Sequence, residues 1–153
     1  LVGSEMCIRD RQDMEELLGA YAGFHDSCLV SMDYRSGAFV DEAGGMHCGA
    51  PADYALSLRF HSQGERAELE LNFTGLRRVA LTGWQDNYAP DIFDARLEFW
   101  EGKLGGQPYR GILWADAGGY APEMEGVFSR SPGPTCVLAD ALRWRFNGAA
   151  GAK

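Results

Sequence analysis

The stretch Phe24-His25-Asp26-Ser27 places an imidazole, a carboxylate and a hydroxyl side by side. A histidine oriented by a carboxylate can act as a general base, and a serine hydroxyl can be the nucleophile of a hydrolase. His25, Asp26 and Ser27 are therefore the candidate catalytic residues. Their spacing argues for something plainer. Successive side chains on an extended backbone point to opposite faces, so working triads are assembled from distant positions. The competing expectation is that His25 and Asp26 shape a turn by bonding backbone groups, while Phe24 packs inside.

His47 and Cys48 are the candidate metal ligands, with His25 and His61 as further imidazoles. Zinc takes three or four ligands, usually from closely spaced pairs. Met46-His47-Cys48 supplies neighbours, but no C-x-x-C or H-E-x-x-H spacing accompanies them. His61 alternates onto the polar side of its segment, where solvent is the expected partner. No metal site is expected from this pattern. Gly105-Gly106 and Gly118-Gly119 lack the lysine and the strand–loop–helix setting of a phosphate loop, so no cofactor is expected either.

Trp84, Gln85, Asp86, Asn87 and Tyr88 form a third group, between two apolar segments. Tryptophan and tyrosine on loops are favoured anchors for protein partners. Trp114 and Asp116, in ILWADAGGY, extend such a binding surface if they share the wet face of a sheet. The plainer alternative is that Trp84 covers a sheet edge while Asp86 and Asn87 shape a turn.

The elements that must position these groups are legible from period. Residues 13–21 read as a short helix, with Asp13 as cap and Glu15 and Glu16 in the first turn. Met14, Leu17, Leu18 and Tyr21 make its apolar face, and Gly23 closes it. The period then becomes two. Tyr54, Leu56, Leu58 and Phe60 share one face, as do Ala67, Leu69, Leu71 and Phe73, and Phe93, Ala95, Leu97 and Phe99. Between them alternate Arg59, Glu68, Glu70, Asp94, Arg96 and Glu98, the pattern of antiparallel strands with one wet face. Further strands are expected over residues 28–34, 76–81, 109–114 and 136–146. Thr74-Gly75 is among the expected turns. Residues 36–53 and 117–134 read as long loops.

The expected fold class is α+β, mainly β. One N-terminal helix precedes a curved antiparallel sheet, a meander of about seven strands, or a sandwich. One globular domain spans residues 12–148, followed by a flexible tail over 149–153.

Composition narrows the partners. The 153 residues carry a formal net charge of −8. A chain this acidic does not bind nucleic acid through phosphates. No apolar run reaches the length of a membrane span.

The first ten residues, LVGSEMCIRD, fit none of these patterns. The codons CTC GTG GGC TCG GAG ATG TGT ATA AGA GAC encode them, and that DNA resembles a transposon-based sequencing adapter. The adapter's last two bases restrict the next codon to Ser or Arg, and Arg11 follows. Residues 1–11 are therefore expected to be adapter-derived, with residues 1–10 packing against nothing or held only by incidental contacts. Met14 then becomes a plausible start, with native residues possible upstream. Setting Cys7 aside leaves Cys28, Cys48 and Cys136, an odd set that fits a reducing, cytoplasmic compartment better than a disulfide framework.

FHDSCL, DYRSGAFVDEAGGM, GLRRVALTGWQDNY, ILWADAG and LADALRWRF together resemble a family of small gut-Firmicutes proteins with no assigned activity. The likeness runs from about Leu17 to Phe146. The helix–HDS–strand opening is also similar to immunity proteins of polymorphic toxins. That likeness implies an unidentified protein partner, and it carries over no catalytic residues. Together these readings lead to an immunity-like, non-enzymatic, protein-binding domain. A small hydrolase using His25 and Asp26 is one alternative. An acidic decoy that mimics nucleic acid is the other, and it requires Glu68, Glu70, Asp94 and Glu98 to line one face.

Overall fold

A computed structural model describes residues 3–65, 67–82, 91–119 and 133–149. Helix α1 spans Arg11–Ala20. It starts before the expected position because Asp10, not Asp13, is its cap: Asp10 has an extended backbone and its carboxylate accepts the Asp13 N–H at 2.9 Å. Asp13 turns back to Arg9, accepting its backbone N–H at 2.8 Å. Met14 and Leu17 face the core, and the Tyr21 N–H closes the helix on the Leu17 carbonyl.

A tight turn then redirects the chain. Ala22, Gly23, Phe24 and Asp26 all have positive φ. The three non-glycine residues are in a sparsely populated conformation, held in place by the packing of Phe24. Phe24 wedges its ring against Phe60 and Trp114, at centroid distances of 5.2 and 5.9 Å.

The strands are β1 (Met6–Cys7), β2 (Ser27–Arg35), β3 (Phe39–Val40), β4 (Met46–His47), β5 (Ala55–Ser62), β6 (Ala67–Ala80), β7 (Asp91–Ile92), β8 (Arg96–Leu104), β9 (Gln107–Ala115) and β10 (Cys136–Ala149). The main sheet runs β7-β2-β5-β6-β10-β9-β8, with β1 added on β10. Every pairing is antiparallel. Hairpins β5–β6 and β8–β9 follow the meander, and β10 returns between them. The outermost strands β7 and β8 are consecutive in the chain, joined only by residues 93–95. Those residues span at most about 14 Å. The two sheet edges must therefore approach each other, and the sheet curls into a half-barrel.

The curl encloses one main core. Leu56, Leu58 and Phe60 face inward from β5, as do Leu69, Leu71 and Phe73 from β6 and Leu142 and Trp144 from β10. Helix α1 covers the opening with Met14, Leu17 and Tyr21. The alternation pattern thus predicts the inner face well.

Four local expectations change. Strands expected over 67–73 and 76–81 are one strand. Gly75, at φ +64°, and a register shift opposite Leu138/Ala139 bend β6 without reversing it. Phe93 is 77 % exposed, because β8 begins only at Arg96 and residues 93–95 serve as the edge-to-edge link. The outer face is not uniformly wet: Trp100, Leu113 and Leu138 form a second buried cluster there. Ala149 pairs with Ala67 as the end of β10, where a tail was expected to open.

The N-terminal segment is also part of the packing. Met6 and Cys7 pair with Trp144 and Arg143, the Ile8 N–H donates to the Leu142 carbonyl, and Ile8 is buried. The segment neither packs against nothing nor is held by incidental contacts alone, because it adds a paired strand and a buried side chain. The reason is local: β9 pairs only with residues 136–139 of β10, leaving an open edge farther along that strand. Any extended segment can hydrogen-bond to such an edge, whatever codons encode it.

Candidate functional site

His25 and Asp26 do meet, with Nδ1 and Oδ2 3.0 Å apart on the surface. Ser27 does not join them. It is buried, and its hydroxyl donates to the Phe24 carbonyl at 2.6 Å. The His25 ring instead lies against Phe93. The positive-φ backbone at Asp26, between His25 and the start of β2, turns the imidazole to the surface while the Ser27 hydroxyl stays on the Phe24 carbonyl, so the suggested hydrolase trio is not assembled.

His47 clamps a hairpin. Its Nε2 lies 2.7 Å from Asp41 Oδ2, across the β3–β4 hairpin. Asp41 also accepts the N–H groups of Ala43 and Gly45. His47 and these donors hold the Asp41 carboxyl below its usual range. Phe39 stacks on the His47 ring at 4.6 Å. Cys48 is exposed, and among the described residues no cluster of three or more His, Cys, Asp or Glu could hold a metal.

Trp84, Gln85, Asp86, Asn87 and Tyr88 lie outside the described residues. Trp114 is completely buried between Phe24 and Phe60, so it cannot present a binding surface. The residue belongs to the inward-facing set of β9 with Ile112. Asp116 follows β9, half-buried, and its backbone N–H donates to the Thr135 carbonyl.

Polar residues that the sequence scattered are brought together on the outer face of β5, β6 and β10. They form cross-strand rows. One row joins Ser57 to Asn72, whose amide reaches Glu5, itself paired with Arg143. In the next, Arg59 and Arg145 flank Glu70. Glu70 is only 4 % exposed, which works against its charge, but Asn147 and Arg145 outweigh burial and hold its pKa below the ordinary value. The last row sets His61 Nε2 3.0 Å from Glu68, which also accepts from Asn147 at 2.9 Å. Burial likewise opposes the Glu68 charge, and Asn147 and His61 prevail.

That last row continues sideways. Cys28 is the register partner of both His61 on β5 and Asp91 on β7. A cavity of about 340 Å3 opens here, lined by Asp26, Ser27, Cys28, His61, Ser62, Gln63 and Asp91. Reading the sequence missed this site because its members come from different strands, and only pairing register aligns them. The one available signal was that His61 and Glu68 both alternate onto the outer face.

No protein-family profile, curated protein or solved structure matches this chain.

Proposed function

We propose that this chain is a protein-binding domain that engages its partner with the β3–β4 hairpin. The supporting observation is that this hairpin combines local order with open apolar surface. Phe39, Val40 and Met46 are all exposed, Met46 by 77 %. A lone two-stranded hairpin is marginal in water. This one is pinned by the Asp41–His47 contact and the Phe39 stack. Its base is drawn in where Gly49 approaches the Ser36 carbonyl and Gly37 approaches Asp53, too closely for a side chain. An arm ordered in advance loses little entropy on binding.

Asp41, Glu42 and Asp53 border the apolar residues, which suits a partner with an apolar pocket rimmed by Lys or Arg. The net charge of −8 also favours encounter with a basic surface. The likeness of the opening segment to immunity proteins makes a toxin domain our choice of partner class. The decoy alternative loses support because its carboxylates are already engaged: Glu68 by His61, Glu70 by Arg145, Glu98 by Arg96 and Asp94 by the Gly118 N–H.

Affinity capture from cells carrying the gene tests the reading, comparing wild type with the double variant Val40→Ser/Met46→Ser. The expected result is a partner retained by wild type and lost by the variant, with thermal midpoints within about 2 °C. Equal retention by both proteins would overturn it.

A further inference from the structure

We propose a second site, independent of the hairpin, at which Cys28 is a nucleophilic thiol served by His61 as base and Glu68 as the group that orients it. The geometry is a single cross-strand row: Cys28 on β2 faces His61 on β5, and His61 faces Glu68 on β6. Directly opposed residues on one sheet face have Cβ atoms about 4.5–5.5 Å apart, within reach of side-chain contact. With His61 Nε2 turned to Glu68 at 3.0 Å, Nδ1 is the ring nitrogen left to take a proton from the thiol. Asn147 holds the far oxygen of Glu68 at 2.9 Å, so the orienting carboxylate is itself fixed. Nucleophile, base and orienter stand in that order along the row, the order in which a thiol is activated once Sγ closes on the ring.

The cavity supplies room for a substrate. Cys28 and His61 both line its volume of about 340 Å3, and Gln63 adds an amide that can donate to a developing oxyanion. Asp26 and Asp91 stand at the same wall, so anionic substrates are excluded and neutral or cationic acyl esters fit. In the first step Cys28 Sγ gives its proton to His61 Nδ1 and bonds to the carbonyl carbon. The ester C–O bond breaks, and the proton passes from His61 to the departing alcohol. Water then attacks the S-acyl group; His61 takes its proton and returns it to sulfur. The sum is ester plus water giving acid plus alcohol. Ser27 also borders the cavity but has no part in this, because its hydroxyl is committed to the Phe24 carbonyl.

The other cysteines provide an internal control. Cys7 and Cys48 are more exposed than Cys28, and Cys136 is buried. If exposure alone governs reactivity, iodoacetamide alkylates Cys7 and Cys48 first. The proposal expects Cys28 first at pH 7, followed site by site with mass spectrometry. His61→Ala should slow Cys28 by about 100-fold and leave Cys48 unchanged. Glu68→Gln should move the pH at which the Cys28 rate is half-maximal, which a merely structural loss would not do. With p-nitrophenyl acetate, the wild type should release nitrophenolate in a burst and carry the acetyl group on Cys28, and Cys28→Ser should do neither. Alkylation in order of exposure, unaffected by His61→Ala, would overturn the proposal, as would equal nitrophenolate release by wild type and Cys28→Ser.

Discussion

Arg77 grips Asp140 with both Nε and Nη2, each at 2.9 Å, across the bulge where β6 bends along β10. The Tyr109 hydroxyl donates to the same carboxylate at 2.8 Å, and the Arg77 guanidinium lies over the Tyr109 ring. The bulge is thus held by one carboxylate and two donors. Asp140 in turn sits so close to Gly75 that a Cβ there would collide with it.

Gly75→Ala should therefore destabilise the fold by about 1–2 kcal/mol through its left-handed backbone alone, and by more through the collision. Introduced into an Asp140→Ala background, the same change should cost less, because the carboxyl atoms that crowd position 75 are gone and only the backbone part and the contact with the Cβ of residue 140 remain. Urea unfolding of the four proteins checks this. Equal costs in both backgrounds would show that Asp140 does not press on the bend.

Acid should weaken the fold through the outer carboxylates. Arg77 holds Asp140 below the ordinary carboxylate range, and Asn147 and Arg145 do the same for Glu70 against the opposing effect of burial. A carboxylate with a depressed folded-state pKa adds stability that is complete above its unfolded value and is lost as pH falls through the folded one. Stability should hold from neutrality down to the ordinary Glu value of 4.5 and fall below it. Glu70→Gln should cost about 1–3 kcal/mol at pH 7 and flatten the acid limb. An unchanged acid limb in that variant would exclude Glu70 as a contributor.

Trp114 should behave as a core residue. Trp114→Ala should cost about 3–5 kcal/mol, because the ring fills space between Phe24 and Phe60. Trp114→Phe should cost clearly less. It keeps most of the ring contacts and removes an indole N–H that is buried with no acceptor among the described residues. A thermal midpoint insensitive to Trp114→Ala would mean the residue is not packed as described.

Removing residues 1–10 should leave a folded but weaker domain. The deletion strips the Asp10 cap, worth about 1 kcal/mol, and the β1 pairing with β10. Hydrogen exchange should rise at the Leu142 and Trp144 end of β10 and in the first turn of α1, while the β5–β6 ladder stays protected. Complete unfolding of the truncated chain would show that the segment is indispensable to the fold.

Much of the architecture is written in short-range pattern. Leu56, Leu58 and Phe60 alternate with Ser57 and Arg59, so their face is inward whatever strand lies beside them. Met14 and Leu17 likewise declare the buried side of the helix. Where the pattern misled, a long-range relation decided. Phe93 alternates correctly for a strand but falls in the link that joins the two sheet edges. Thr74-Gly75 has turn chemistry but sits where β10 pairs with both sides of the bend.

By itself the sequence determined the fold class, the inward faces, the negative charge and the identity of every reactive side chain, because each of these is set by a residue and its near neighbours. Tertiary structure alone decided which reactive groups meet. It separated Ser27 from His25 through the left-handed turn at Asp26, and it gave His47 to Asp41 across a hairpin. It drew Cys28, His61 and Glu68 into one row. Strand register sets distances between residues far apart in sequence, and it depends on how the whole sheet curls and pairs.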